Sequence, residues 1–531
     1  MKRRILSLAL VVLMIFSLSS CLFDKEPEGF MSNRHSLEYS YSEDDFIKAK
    51  EEFTRLPNML TTPGQFDLIY DIYLDLDSYV SELATYQNIE YLKTSIEQND
   101  DSNKKYLDFN SKLKELIDLE RDFLRKAKNS IYKDDFYKGM SDDEIDSMLG
   151  ITYPDEYYTL DEEVEKLLVD YRKLSRSEKK EQAPAMYSRV VDNYNKMARL
   201  AGYNNYLDFA YPNIYDRSYK PIDSVSFSNY VRDYIVPELM EADSELDRTI
   251  ASLVDADKRA LISLINNPIS DDKDKLDSYA KFMGGPFYLI YEALWDHGYY
   301  YFSNSTKAIE GAYTTYLPSL NTPALYFGPG YQSIMTVCHE FGHYFSYVRN
   351  DGRGGSFDLA ETQSQGNELI FVSYLEQSQF YTKATLKAFR DYQLHNYLST
   401  IVMATIVNDF EYRVYTENIL DPNMYDIIFK EVLEKFGSYD ELKDIFGIAP
   451  EDYWKMVALD NAGYYISYAV SLVPSIELYL MASDDINLAK DSFFKLTNKV
   501  YVEDDYEKTL ENASLISPFK KEAYLEIPSL F

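Results

Sequence analysis

The stretch TVCHEFGHYFSY, residues 336 to 347, places His339 and His343 four positions apart, with Glu340 directly after the first. The chain has five histidines in all, so two at this spacing invite a chemical reading. On an α-helix, positions i and i+4 share a face, and both imidazoles can direct a ring nitrogen to one zinc ion at about 2.0 to 2.1 Å. Glu340 falls on the neighbouring face, close enough to reach a water at the metal without replacing it, which is where a general base is needed. Cys338 is adjacent to His339, but neighbouring helical residues point about 100° apart. It is therefore expected to miss the metal and to pack as a small buried hydrophobe.

A catalytic zinc takes three protein ligands and keeps a fourth position open. Downstream, DGRGGSFDLAETQSQGNELIF (351 to 371) reads as a glycine-rich loop followed by a helix that presents Glu361 and Glu368 on one face. One of these is expected to be the third ligand. The other is expected as an outer acceptor that orients a ligating histidine. Spacing alone does not choose between them.

The elements that must position these groups are mostly helical. From Glu43 to about Phe209, segments such as EDDFIKAKEEFTRL and EEVEKLLVDYRKL repeat apolar residues at three and four positions, which predicts an antiparallel helical domain over 43–210. Its end, YNKMARLAGYNNYLDFAY, carries Gly202 to close one helix and Asn204 or Asn205 to cap the next. A second helical block, 216–300, leads to two strand signals, GAYTTYLP and PALYF, short, β-branched or aromatic, and bounded by glycine and proline. They lie immediately before the histidine motif, and helices follow to the C-terminus. The expected class is mostly α, with one small sheet beside the site, and with 211–531 as the catalytic domain.

HEFGH followed by DLAETQSQGNE resembles the thimet oligopeptidase and oligoendopeptidase F family of zinc metallopeptidases. Asp358, Glu361, Ser364, Gln365 and Glu368 fall on the frame of that family's second signature. The resemblance assigns the third ligand to Glu361 and an outer role to Glu368 and Asp358. GAYTTYLPSLNTPALYFGPGYQSIMTVCHEFGH is similar to the family's strand pair and its run into the zinc helix, and MARLAGYNNYLDFAY resembles a segment upstream. GYYISYAVS, residues 463 to 471, looks like the tyrosine-bearing segment, in which two tyrosines three apart donate to the carbonyl oxygen under attack; Tyr465 and Tyr468 match. The likeness covers roughly residues 190 to 475. Two features depart from the family. The loop from His343 to Glu361 is several residues shorter, and the histidine usual before the tyrosines is absent, since none follows His395. MVALDNAG offers Asp460 and Asn461 there instead.

This resemblance implies a large two-lobed helical peptidase with a deep channel, one zinc ion per chain, and short flexible peptides as substrates. The strand near PALYF is expected to hold the peptide backbone as an added strand. The alternative is a peptide-binding lipoprotein that kept the zinc cleft but is catalytically weak.

The N-terminus bears on location. Lys2, Arg3 and Arg4 precede an apolar run from Ile5 to Phe16, too short for a permanent span, and LSSC follows at 18 to 21. The pattern resembles a bacterial lipoprotein signal over residues 1–20, with Cys21 lipidated and 21–42 a polar tether, which implies an exported protein anchored to the membrane of the cell envelope. The chain has two cysteines, so a lipidated Cys21 leaves no intramolecular disulfide. Over 531 residues, 88 acidic side chains face 54 basic ones, a net charge of -34. Such a field repels nucleic acid, which is excluded as a partner.

Overall fold

The computed structural model describes residues 35–150, 153–352, 355–447, 449–459, 461–498 and 505–530. The signal-like segment, Cys21, most of the 21–42 tether and Asp460 lie outside the described residues.

Twelve longer helices carry the fold: α1 Glu43–Arg55, α2 Phe66–Ile96, α3 Asp100–Lys128, α4 Asp155–Arg172, α5 Arg176–Leu200, α6 Val236–Ser252, α7 Ile269–Met283, α8 Gly285–His297, α9 Ile334–Arg349, α10 Phe357–Glu376, α11 Lys383–Thr416 and α12 Ile466–Leu496. Local chemistry sets their ends. Ser42 caps α1, and Phe46, Ala49 and Phe53 form its buried stripe. Ser175 and Glu178 form a capping box at α5. Asn205 caps the short helix Tyr206–Asn213. Ser333 opens α9 and Ser356 opens α10, each accepting from a backbone N–H in the first turn. α12 is long and apolar enough to cross a membrane, but most of that stretch is buried inside the protein, so it serves as a core helix; it kinks at Asp485.

The apolar packing falls into three clusters. One lies among α1 to α3 and the turns up to Leu149, with Phe53, Leu83, Leu116 and Phe123 at its centre. The large one runs from Tyr157 to Leu530 and includes α4 and α5 as well as the helices of the histidine motif. A small third cluster joins them: Ile89 and Leu92 of α2 pack on Tyr301, Leu317, Ala324 and Tyr326 of the sheet.

That sheet has three strands, β1 Tyr299–Phe302, β2 Ala312–Leu317 and β3 Thr322–Phe327, in the order β1-β3-β2. β2 and β3 are the expected pair and run antiparallel, with Thr314 opposite Leu325. β1 was hidden at the end of the second helical block. Its residues Tyr299 to Phe302 are four consecutive aromatics after Gly298, and they pair parallel to β3, Tyr301 beside Tyr326. The sequence PALYF therefore forms the central strand, with both its edges already paired, which leaves β1 and β2 as the edge strands.

Candidate metal and catalytic cleft

α9 and α10 cross closely enough to bring the histidines and glutamates together. Gly342 permits the approach: a Cβ there would lie 2.6 Å from the Cα of Ser364 on α10. The ligand atoms of His339, His343 and Glu361 all lie within 4.8 Å of one another. Glu361 Oε2 is 3.5 Å from His339 Nε2 and 3.8 Å from His343 Nε2. Four donors arranged tetrahedrally at about 2.0 to 2.1 Å from zinc would be spaced about 3.4 Å apart, so the three fit around one such ion.

The remaining atoms of these groups are occupied in ways that suit the same task. His339 Nδ1 lies 2.7 Å from Glu368 Oε1, and the carboxylate as acceptor leaves Nε2 turned toward Glu361 and His343. Tyr397 OH donates to the other Glu368 oxygen at 2.9 Å. Glu361 Oε1 accepts from Tyr464 OH, and Ser364 Oγ lies 3.2 Å from Oε2. Glu340, 4% exposed, accepts at 2.7 Å from the hydroxyl of Thr314 on β2. Cys338 is fully buried, its thiol toward Asn367 O.

Burial raises the Glu361 carboxyl above its usual range, against the pull of His339, Tyr464 and Ser364. Burial also pushes Glu340 up to about 7, with His339 and the Thr314 hydroxyl opposing it. Burial acts to discharge His339, but Glu368, Glu361 and Glu340 outweigh it and lift the imidazole to about 10. His343, buried beside His339, falls well below its ordinary value. Three carboxylates thus converge on two imidazoles, and their combined charge favours a positive group among them.

A cleft of about 480 Å³ opens onto His339 and Glu340, and Tyr464, Tyr465 and Tyr468 line it. The two matched tyrosines are close, ring centroids 5.6 Å apart. Tyr464, the tyrosine that touches Glu361, lies outside that matched pair. The available signal was its spacing: Tyr464 and Tyr468 are four apart, one turn of helix, and their rings lie 5.2 Å apart.

Asp358 is fully buried, and its Oδ1 accepts from Ser467 Oγ at 2.5 Å and from Arg217 Nε at 3.3 Å. The Arg217 guanidinium, buried and stacked over Tyr211 and Tyr215, also donates to Gly463 O and Ser467 Oγ. From the other side, both carboxylate oxygens of Glu411 accept from Gly463 N–H at 3.1 Å. Arg217, Asp358 and Glu411 therefore clamp the turn that carries the tyrosines. No local pattern marks Arg217, Glu411 or Thr314, because each acts on a residue distant in sequence.

No family model and no curated protein matches the sequence. Solved structures match the fold. A protein assigned as an oligoendopeptidase F superposes with a TM-score of 0.75 over 93% of this chain and 97% of its own, at 15% identity. Pz peptidase A, solved with an inhibitor, gives 0.73 over 93% and 97%, also at 15% identity. An oligoendopeptidase F assigned in Bacillus anthracis gives 0.70 over 94% and 97% at 15% identity. The chain has the helical fold of these peptidases over nearly its whole length.

Proposed function

We propose that this chain is a zinc-dependent endopeptidase of short flexible peptides. The observation that carries the reading is the convergence of His339, His343 and Glu361 beside Glu340, at the wall of a cleft lined by tyrosines. The shared fold agrees with it. Zinc, when bound, would polarise the scissile carbonyl and acidify a water beside it. Glu340 takes that water's proton and passes it to the leaving amine, a role favoured by the burial that holds its carboxyl above the usual range. Thr314 holds the carboxylate in place, and Glu368 holds the ring of His339. Tyr465 and Tyr468 donate to the oxygen as charge develops on it, while Tyr464 steadies Glu361. The edge of β2 accepts the peptide backbone as an added strand.

Glu340→Gln separates this reading from its rival. It preserves shape but removes the base, so zinc and peptide binding should survive while digestion of a random peptide library falls by about 10² or more. The rival, a catalytically weak peptide-binding lipoprotein, draws on one observation: exposed Asn461 lines the cleft where the resembling family carries a histidine. A library left equally intact by wild type and variant, with or without a chelator, decides for the binder.

The lipid-anchored, envelope location rests on the sequence of residues 1–21. Cys21→Ser should abolish labelling by a fatty acid and release the protein from membranes; an unlabelled wild type sinks that part of the proposal.

A further inference from the structure

The peptidase reading leaves one charged group in the cleft unused. Glu310, Glu340 and Glu368 line it, and among the described residues no lysine or arginine does. Glu340 is held by Thr314, and Glu368 by His339 and Tyr397. The Glu310 carboxylate is exposed and, among the described residues, has no hydrogen bond or ion pair. Its backbone is nevertheless fixed. Ile309 N–H donates to Ser95 O at 2.9 Å, Ile309 O accepts from Tyr326 OH at 2.8 Å, and Gly328 N–H donates to Gly311 O at 2.8 Å. Tyr331, 46% exposed, lines the same cleft and lies close enough to feel the Glu310 charge and, in the opposite sense, that of Arg176, which does not line the cleft.

A free carboxylate beside an exposed aromatic ring, at the start of a strand edge, suits a positive group: the carboxylate pairs with the charge and the ring face accepts the cation. We propose that Glu310 and Tyr331 form a subsite for a cationic group of the peptide, so that the cleft selects peptides carrying lysine or arginine. This rests on the reading of the cleft as a peptide site. The net charge of -34 works in the same direction, drawing cationic peptides toward the protein and repelling acidic ones.

The cation can belong to a side chain or to a free N-terminus, and a matched peptide set separates the two. Dissociation constants are read by fluorescence anisotropy on the Glu340→Gln protein, with lysine, norleucine or glutamate at one position, each peptide with a free and an acetylated N-terminus. Lysine is expected to bind about 2- to 5-fold tighter than norleucine at low salt, with glutamate weakest, the scale of a partly exposed charge pair. Adding Glu310→Gln should erase the lysine advantage without moving the norleucine value, and Glu310→Lys should turn the preference toward glutamate. If acetylation, not the lysine, removes the advantage, the subsite holds the terminal ammonium. An unchanged lysine-to-norleucine ratio in Glu310→Gln, with melting temperature unchanged, overturns the proposal, as does the absence of any peptide binding. Because the measurement is of binding, a wild type that binds with this preference but cleaves nothing refutes the peptidase reading and leaves the subsite standing.

Discussion

At the scale of the residue, Glu361 and Glu368 present the clearest contrast. Both are buried carboxylates on α10, but one faces two Nε2 atoms and the other braces an Nδ1. Glu361→Ala should therefore abolish stoichiometric zinc binding, while Glu368→Ala weakens it by about 10- to 100-fold, the usual cost of losing an outer acceptor; metal analysis after dialysis against a graded chelator reads the difference. The tyrosines divide the same way. Tyr468→Phe should lower kcat by about 10² with little change in KM, whereas Tyr464→Phe should first loosen the metal, because its hydroxyl is spent on Glu361. The first part of this was legible in the sequence. A two-histidine motif on one helical face needs nothing beyond helical geometry, so His339, His343 and Glu340 could be read locally. The choice between Glu361 and Glu368 could not, since either lies on the same face; it took the family's signature to propose it and the crossing of α9 with α10 to place the atoms. Thr314 and Tyr397 were invisible, because each meets its carboxylate only after the chain has folded across a long separation.

At the scale of the element, the site depends on how tightly α9 and α10 cross. Gly342→Ala would set a methyl 2.6 Å from the backbone of Ser364, a contact that no rotamer relieves. The helices must separate, and a few tenths of an ångström are enough to spoil a three-ligand site. The expected result is weaker zinc binding together with destabilisation of about 1 to 3 kcal/mol, the range of overpacking; unchanged zinc affinity would show that the site tolerates the shift. The clamp on the tyrosine turn gives a pH signature. Burial raises Glu411 to about 8, with the Gly463 N–H and Arg217 opposing it, against an ordinary value of 4.5. The folded state then holds a proton that the unfolded state has released, so this residue's contribution falls as pH rises from about 4.5 to about 8. Glu411→Gln keeps a carbonyl for Gly463 and removes the titration, so its melting temperature relative to wild type should rise across that window; a difference independent of pH would refute it. The elements themselves were mostly readable from apolar spacing at three and four positions. β1 was not, because four aromatics in a row carry neither period, and only the partner β3 makes them a strand.

At the scale of the whole molecule, charge and topology set the behaviour. With 88 acidic side chains against 54 basic ones, the compact state repels itself. Raising salt from about 0.01 to 0.15 M shortens the screening length from about 30 to 8 Å, so the melting temperature should climb over that interval; a flat or falling curve would show that the ion pairs on the surface outweigh the excess. The general plan, helices around one small sheet, was legible because strand and helix signals were segregated along the chain. How the N-terminal helices meet the sheet was not, since nothing in the local pattern of α2 shows that its last turns face strands more than 200 residues away.

That meeting has a consequence in time. Ser95, near the end of α2, accepts from Tyr313 and Tyr326, 218 and 231 residues further along, and Ile89 and Leu92 lie against the same strands. During synthesis α1 to α3 emerge first and can pack on one another, and Leu37 and Tyr39 are already there to lie on the end of α2, but its strand partners Tyr301, Leu317, Ala324 and Tyr326 are made much later. The histidines come directly after. The sheet beside the histidines thus settles on the early helices only by closing loops of 218 and 231 residues, the non-local kind of contact that folding makes slowly.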